Sequence, residues 1–253
     1  MSLHHLGKTR SRRATDHLLQ TPDTFVWAPL PGMVDATACV HAAPALGAGF
    51  AQYTALLKPG GVLGPAVGSR FLYVVEGGLH LKAGDRSATL GVGAYTYVPP
   101  GLPHTLQADA TGARTVVMEK PYQLLPENAM PELLIGSEGS IQPAPLNGDD
   151  GIQVRALLPP NDLRFDFAVN TMEYQPGAAL RMVEVHVMEH GLSMLEGGGI
   201  YRLGDCWYPV TAGDFMWMGP FCPQWFGALG KQPARYLIYK DWNRHPLGSG
   251  ETR

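Results

Sequence analysis

One short stretch of the sequence places a carboxylate and two imidazoles at spacings that suit a metal ion. If residues 180–187 form a β-strand, their side chains alternate, so Glu184 and His186 share one face, opposite the valines between them. His190 has the same parity and reaches that face if the strand continues. Burying these three groups without a cation is costly, whereas a divalent metal ion makes them ligands. The stretch therefore predicts a metal centre.

The same stretch also matches a different metal motif, H-x-x-E-H, because residues 186–190 read HVMEH. That zinc-protease arrangement requires both histidines on one face of a helix. β-Branched residues precede the motif and Gly191 follows it, with three more glycines at 197–199, and such flanks disfavour a helix. We therefore favour the strand and its metal centre over the protease.

An internal repeat indicates which elements would position these residues. The segment FLYVVEGG at 71–78 resembles GLSMLEGG at 191–198, an offset of 120 residues that continues without a gap. The pairs related by this offset include Gly77 and Gly197, Gly84 and Gly204, Gly93 and Gly213, Pro100 and Pro220, Pro103 and Pro223, and Lys120 and Lys240. Glycine at such positions supplies the positive φ that hairpin turns need. The repeat predicts an all-β chain of two tandem jelly-roll β-barrel domains.

The predicted domain bounds follow from this repeat. We expect an N-terminal arm over 1–20, a first barrel over 21–125, a linker over 126–150 and a second barrel over 151–253. The linker gathers proline, glycine and asparagine with little alternation. The arm is basic and lacks the apolar stretch of a secretion signal.

Composition narrows the partners and the compartment. The net charge is only −3, which gives no reason to expect nucleic acid or an anionic membrane as partner. No run of about 18 apolar residues is present, so no membrane span is predicted. Cys39, Cys206 and Cys222 are odd in number and far apart, which favours buried free thiols in a reducing, cytoplasmic compartment.

Two motifs around the metal stretch resemble those of the cupin superfamily. Residues 184–197 read E-x-H-x3-H-x6-G, similar to the first cupin motif with its ligands permuted. Residues 213–224 read G-x5-G-x-F-x2-Q, similar to the second motif with Gln224 in place of the last histidine. The set of Glu, His, His and Gln is similar to that of the bicupin (S)-ureidoglycine aminohydrolase family of purine and allantoin catabolism. The similarity covers EVHVMEHG, LEGGGIYRLGDCWYPVTAGDFMWMG and YLIYKDWNR, and reaches the N-terminal half through FLYVVEGG and YVPPG.

This resemblance implies Mn(II)-dependent hydrolysis of (S)-ureidoglycine to (S)-ureidoglycolate and ammonia, by a homo-oligomer. The Mn(II) ligands that it implies are Glu184, His186, His190 and Gln224. The substrate contacts that it implies are Tyr201, Tyr236 and Lys240, with Glu184, Lys240 and Tyr201 taking part in catalysis. The residue types agree, because imidazoles with a carboxylate and an amide oxygen suit Mn(II) or Fe(II). An inward lysine also needs an anion, and this substrate has a carboxylate.

The donor set leaves two other functions open. Two histidines and a carboxylate are also compatible with an Fe(II)-dependent cupin dioxygenase. A non-catalytic small-molecule-binding cupin is the third possibility, although no helix-turn-helix pattern accompanies it. Gln224 as fourth ligand and the extended similarity around Lys240 favour the hydrolase.

The first copy of the repeat serves as an internal control. The offset of 120 places Gly64, Ala66, Arg70 and His104 at the positions of the four ligands. Glycine and alanine offer no ligating side chain, and a guanidinium cannot bind a cation. We therefore predict no metal site in the first barrel, where His104 is a structural remnant.

Overall fold

A computed structural model describes residues 8–66, 68–125 and 128–244 of the protein. Residues 1–7 of the predicted arm, 126–127 of the predicted linker and 245–253 of the predicted second barrel lie outside the described residues. The described chain forms two compact units. We call residues 26–142, 157–168 and 241–244 the N-terminal unit, and residues 8–25, 143–156 and 169–240 the C-terminal unit.

Both units are built from β-strands, which confirms the predicted all-β class. Within the described residues the strands are β1 (Arg12–Arg13), β2 (His17–Gln20), β3 (Val34–Ala42), β4 (Ala51–Val62), β5 (Ser69–Ala83), β6 (Arg86–Leu90), β7 (Ala94–Val98), β8 (His104–Lys120), β9 (Leu134–Ser137), β10 (Ala144–Leu146), β11 (Asp149–Ala156), β12 (Phe167–Tyr174), β13 (His190–Glu196), β14 (Gly198–Leu203), β15 (Cys206–Thr211), β16 (Phe215–Met218), β17 (Gln224–Ala228) and β18 (Ala234–Asp241). Short 3₁₀ helices cover Pro22–Thr24, Pro44–Leu46 and Glu138–Ser140. None of the helices in the described part of the chain has the length and apolar character needed to cross a membrane.

The N-terminal unit is a seven-stranded sheet. Its order is β3-β4-β8-β5-β7-β9, and β6 pairs with β5. The long strands β5 and β8 each bend through register shifts near glycines, which lets one sheet fold over its own apolar face. The core inside includes Leu72, Val74, Leu81 and Leu106, all buried.

The C-terminal unit contains two sheets. The larger has the order β1-β2-β16-β13-β18-β12-β11-β10, and the smaller has the order β15-β14-β17. Their buried faces share one core, in which aromatic and methionine side chains predominate near β13, β16 and β18. The candidate site is formed by residues of this unit.

The glycines of the repeat behave alike in the two units. Gly77 and Gly197 have φ values of 70° and 64°, and Gly84 and Gly204 have φ values of 56° and 58°. At Gly77 an added Cβ would lie 1.9 Å from the backbone oxygen of Gly112, so glycine is required there. The repeat detected in the sequence therefore corresponds to turns of the same conformation in both units.

The strand pairing interleaves segments that the sequence analysis assigned to separate domains. Strand β2, within the predicted arm, pairs with β16, and Leu19 lies opposite Met216. Arg10 binds the buried Asp214 carboxylate through both of its terminal nitrogens, at 2.6 and 2.8 Å. The predicted linker contributes β9 to the N-terminal unit and β10 to the C-terminal unit. Each barrel thus departs from the single continuous stretch expected from sequence.

The strand predicted over residues 180–187 is absent from the structure. Leu180 donates its N–H to the Phe226 oxygen at 2.9 Å, and Glu184 and Gln224 exchange both backbone hydrogen bonds at 2.8 and 2.9 Å. The two contacts are four residues apart on this segment but two residues apart on β17, so two extra residues bulge outward. Regular pairing resumes only with β13.

Candidate functional site

The four predicted metal ligands come from two strand ends and the bulged segment. His190 is the first residue of β13, and Gln224 is the first residue of β17. Glu184 and His186 lie on the segment that pairs with β17 through the single bridge between Glu184 and Gln224. Although this segment is not a regular strand, it is extended enough that Val185 is 57% exposed while Glu184 and His186 are half-buried. Val185 and Val187 are therefore exposed on either side of His186, as the alternation predicts, whereas Val183 is half-buried like Glu184.

The two imidazoles face each other through atoms that can ligate a metal ion. His186 donates from Nδ1 to the Met188 oxygen at 3.2 Å, and His190 donates from Nδ1 to the Tyr239 oxygen at 3.2 Å. These bonds fix the tautomer, so the two Nε2 atoms carry lone pairs. The two Nε2 atoms lie 3.3 Å apart. Two acceptors at this distance repel each other, and a cation between them removes that repulsion.

Gln224 completes the contact set, and Glu184 lies farther out. The Gln224 amide nitrogen donates to His186 Nε2 at 2.9 Å, and its oxygen accepts from the Tyr201 hydroxyl at 3.5 Å. Among the described residues, three side chains with all their ligand atoms within 4.8 Å of one another occur only at a different cluster. The Glu184 carboxylate therefore does not lie within 4.8 Å of both imidazoles. Two facing lone pairs, an adjacent amide and a nearby carboxylate fit a divalent cation with nitrogen and oxygen ligands.

That other cluster consists of Asp16, His17 and Cys222. Both His17 nitrogens are occupied, since Nδ1 bonds the Asp16 carboxylate and Nε2 bonds the Tyr208 hydroxyl, each at 2.8 Å. Burial raises the pKa of the Cys222 thiol to about 12. The cluster is therefore a hydrogen-bond network that holds β2 against β15. All three cysteines are free and buried or half-buried, as expected.

Lys240 lies beside the imidazoles. It pairs with His190 across β13 and β18. When the Asn170 amide is oriented to satisfy both of its atoms, its oxygen accepts from Lys240 Nζ at 3.3 Å. Burial lowers the pKa of Lys240, and the Glu184 charge opposes part of that shift. Burial, with the charges of Lys240 and His186, holds the pKa of His190 well below its usual value.

Buried aromatic side chains pack next to these polar residues. The Tyr236 hydroxyl lies 2.8 Å from the Tyr174 hydroxyl, and the Tyr201 ring packs at a tilt of 30° against Phe226, with centroids 5.4 Å apart. Burial is the main cause that raises the pKa of all three tyrosines, and the Glu184 charge adds to it. The hydroxyls consequently remain neutral hydrogen-bond donors.

Sequence reasoning missed Tyr174 and Asn170. Both lie on β12, where Asn170, Met172 and Tyr174 share one parity. Asn170 bonds Lys240, while Met172 Sδ and the Tyr174 hydroxyl both contact the Tyr236 hydroxyl. The sequence signal that could have identified them is the alternation along β12, which places all three side chains on the face that lines the site.

An opening leads from the surface to Glu184. A cavity of about 320 Å³ lies between the β10–β11 hairpin and the bulged segment, and its lining includes Asn147, Asp149, Arg181 and Glu184. Arg181 is exposed and has no hydrogen bond or ion pair within the described part of the chain. Arg181 therefore places one positive charge at an opening that the Asp149 and Glu184 carboxylates also line.

The alternative zinc-protease motif is not formed. Residues 186–189 have no helical conformation. Between the two histidines, Glu189 is buried, and its carboxylate accepts a hydrogen bond from Trp217 Nε1 at 3.1 Å. Its carboxylate is thus engaged with Trp217, so the general base that this motif requires is not available.

Comparison with known proteins defines the class. Residues 54–119 match the family profile of the cupin domain. A Bacillus subtilis oxalate decarboxylase, studied for its Mn(II) centres, superposes with a TM-score of 0.70 at 15% identity, covering 93% of this chain and 80% of that chain. With two β-units related by the repeat, the protein is a two-domain cupin.

More similar proteins define the family within that class. The (S)-ureidoglycine aminohydrolase of Arabidopsis thaliana is 43% identical over 244 residues, covering 95% of this chain and 80% of that protein. The crystal structure of protein Ylba from Escherichia coli has a TM-score of 0.83 at 29% identity, covering 97% of this chain and 99% of that chain. The chain belongs to the (S)-ureidoglycine aminohydrolase family.

Proposed function

We propose that this protein hydrolyses (S)-ureidoglycine to (S)-ureidoglycolate and ammonia, with Mn(II) held by Glu184, His186, His190 and Gln224. The observation that carries the proposal is the pair of imidazole lone pairs facing each other at 3.3 Å beside an inward lysine, in a chain of this family. Nitrogen and oxygen donors without a thiolate favour Mn(II) or Fe(II) over softer ions. When bound by these residues, the ion would supply Lewis-acid chemistry at the substrate.

The reaction exchanges one bond at a single carbon. This carbon bears the amine, the ureido group and the carboxylate. Its bond to the amine breaks, its new bond is to the oxygen of water, and a hydrogen of that water leaves with the ammonia. The chain must therefore bind the carboxylate, hold the carbon in one orientation and provide an acceptor for the proton of water.

The residues of the C-terminal unit divide these tasks by their chemistry. Lys240 pairs with the substrate carboxylate, because a half-buried ammonium is stabilised by an anion. Tyr201 and Tyr236 donate hydrogen bonds to the substrate from hydroxyl groups that stay neutral. Glu184 is a ligand and also a carboxylate able to accept a proton. Arg181, at the opening, attracts the anionic substrate.

The deciding experiment measures ammonia release from freshly prepared (S)-ureidoglycine, with and without added Mn(II). We expect metal-dependent release in the wild type, a loss of at least about 100-fold in kcat in Glu184→Ala, and a comparable loss in kcat/KM in Lys240→Ala. The matched control is Lys231→Ala, since Lys231 is an exposed lysine in the same unit. Release no faster than the spontaneous decay of the substrate, with Mn(II) bound, would exclude this substrate.

We also propose that the protein is a cytoplasmic homo-oligomer engaged in purine and allantoin catabolism. The three free thiols support a reducing compartment. Exposed apolar side chains on β3 and β4, including Val34, Val40 and Leu56, support association. Light scattering of the purified protein that gives the mass of one chain would contradict the oligomer.

A further inference from the structure

Three of the four positions that correspond to the predicted metal ligands also come together in the N-terminal unit. The offset of 120 relates Gly64, Arg70 and His104 to Glu184, His190 and Gln224. In the N-terminal unit the Arg70 guanidinium binds both other members of this set. Its Nη1 contacts His104 Nε2 at 2.9 Å, and its Nη2 donates to the Gly64 oxygen at 2.9 Å. The cation at the centre of this group is therefore the Arg70 guanidinium, a side chain of the protein itself.

The orientation of His104 matches that of the histidines in the other unit. His104 donates from Nδ1 to the Leu102 oxygen at 2.9 Å, so its Nε2 carries a lone pair. That lone pair accepts from Arg70, just as a metal-binding imidazole directs its lone pair at an ion. Burial and the Arg70 charge lower the pKa of His104, which keeps the imidazole a neutral acceptor.

A carboxylate completes the surroundings of the guanidinium. Glu119 Oε1 accepts from Arg70 Nε at 2.8 Å and from Arg70 Nη2 at 2.7 Å. The same oxygen accepts from the Tyr53 hydroxyl at 2.8 Å. Arg70 is only 2% exposed, so its charge is compensated almost wholly by these protein groups.

We infer that the N-terminal barrel contains a cation site, lined by His104, Glu119 and the Gly64 carbonyl, whose occupant is the Arg70 guanidinium. Without that side chain, the site takes a free guanidinium ion. With histidines introduced at residues 66 and 70, it takes a divalent metal ion. The contacts of Arg70 carry this inference by themselves, while its parallel with the C-terminal unit rests on the proposed function.

The first test is chemical rescue in the full-length protein. Arg70→Ala leaves Glu119 without its counter-charge, and we expect the melting temperature to fall by on the order of 10 °C. Millimolar guanidinium chloride should raise the melting temperature of Arg70→Ala and leave the wild type unchanged. The control is Arg114→Ala, which removes an exposed partner of Glu76 and should show neither effect. A variant that is destabilised but indifferent to guanidinium would overturn the inference.

The second test counts metal ions and holds even if Arg70→Ala does not fold. Ala66→His with Arg70→His adds two imidazoles beside His104, at a cavity that Ala66 and His104 line. With Co(II) alone as probe, the double variant should bind one more ion per chain than the wild type and gain a visible absorption band. Failure of the proposed C-terminal site would lower both counts equally and leave their difference at one. Equal counts in two folded proteins would refute the cation site.

Discussion

At the scale of single residues, the site is explained by which nitrogen of each histidine is committed to the backbone. Carbonyl oxygens of Met188 and Tyr239 hold the Nδ1 atoms of His186 and His190, so the Nε2 lone pairs converge. Such outer contacts fix ring orientation in metal sites generally. Backbone acceptors cannot be altered by a side-chain substitution, so the orientation is robust while the ligands themselves remain sensitive.

Arg181 offers a test of the opening. Arg181→Ala should raise KM by about 3-fold to 10-fold with little change in kcat, because the side chain attracts the anion but lies outside the reacting group. The effect should shrink as salt is raised. Initial rates of ammonia release at two ionic strengths measure it, and Lys231→Ala is the control. A fall in kcat with unchanged KM would instead make Arg181 part of the chemistry.

His41 offers a test of stability against pH. Burial lowers its pKa from 6.5 to about 3, and its Nε2 bonds the Thr54 hydroxyl at 2.8 Å. Between pH 6.5 and 3 the unfolded chain binds a proton that the folded chain rejects, so stability is complete above 6.5 and falls as pH falls. From pH 7.5 to 5 the wild type should lose about 2 kcal/mol more than His41→Gln. Denaturant titrations at both pH values measure this, and equal losses would contradict it.

At the scale of elements, the largest difference from the sequence-based prediction is at the N-terminus, where residues 17–20 of the predicted arm form strand β2. Its residues 17–20 alternate between buried and half-buried, which is a strand pattern, but the stretch is too short to be distinctive. What makes it a strand is the free edge of β16, which only the folded sheet supplies.

The contribution of β2 can be measured through Leu19, which is fully buried. Leu19→Ala should reduce the free energy of unfolding by about 2–4 kcal/mol, because it leaves a cavity beside Met216. Arg13→Ala, an exposed change in the neighbouring strand, should cost less than about 0.5 kcal/mol. Urea titrations compare them. Equal small effects would show that the segment is a dispensable arm.

At the scale of the whole molecule, the proposed function gives the two similar units different sources for their central cation. The C-terminal unit offers converging lone pairs to an external ion, whereas the N-terminal unit fills the corresponding place with Arg70. On that proposal, the duplicated barrel carries one reactive centre and one centre with a structural role.

This division predicts the effect of metal removal. Chelation should abolish ammonia release, and added Mn(II) should restore it with one ion bound per chain. Among the residues that the structure describes, only those of the C-terminal unit present converging imidazole lone pairs to an external ion. His186→Ala should lose the ion and Asp16→Asn should keep it. Metal analysis of the dialysed proteins measures both, and the reverse pattern would locate the ion at the His17 cluster.

Much of the fold and the site could be predicted from the sequence, because it is encoded locally. Alternation placed Glu184 and His186 on one face, and the segment keeps that alternation although it is not a regular strand. The glycines at the offset of 120 fixed matching turns, because few other residues adopt a positive φ without strain.

Other features were decided only by the tertiary structure. Sequence patterns carry no signal for which strand edge is free, so the pairing of β2 with β16 could not be foreseen. The same holds for Tyr174 and Asn170, which meet the site residues from a different strand. Arg70 is the clearest case: the sequence excluded it as a ligand, but only its contacts identify it as the cation. Long-range pairing determines such roles, because distances between strands depend on the whole fold.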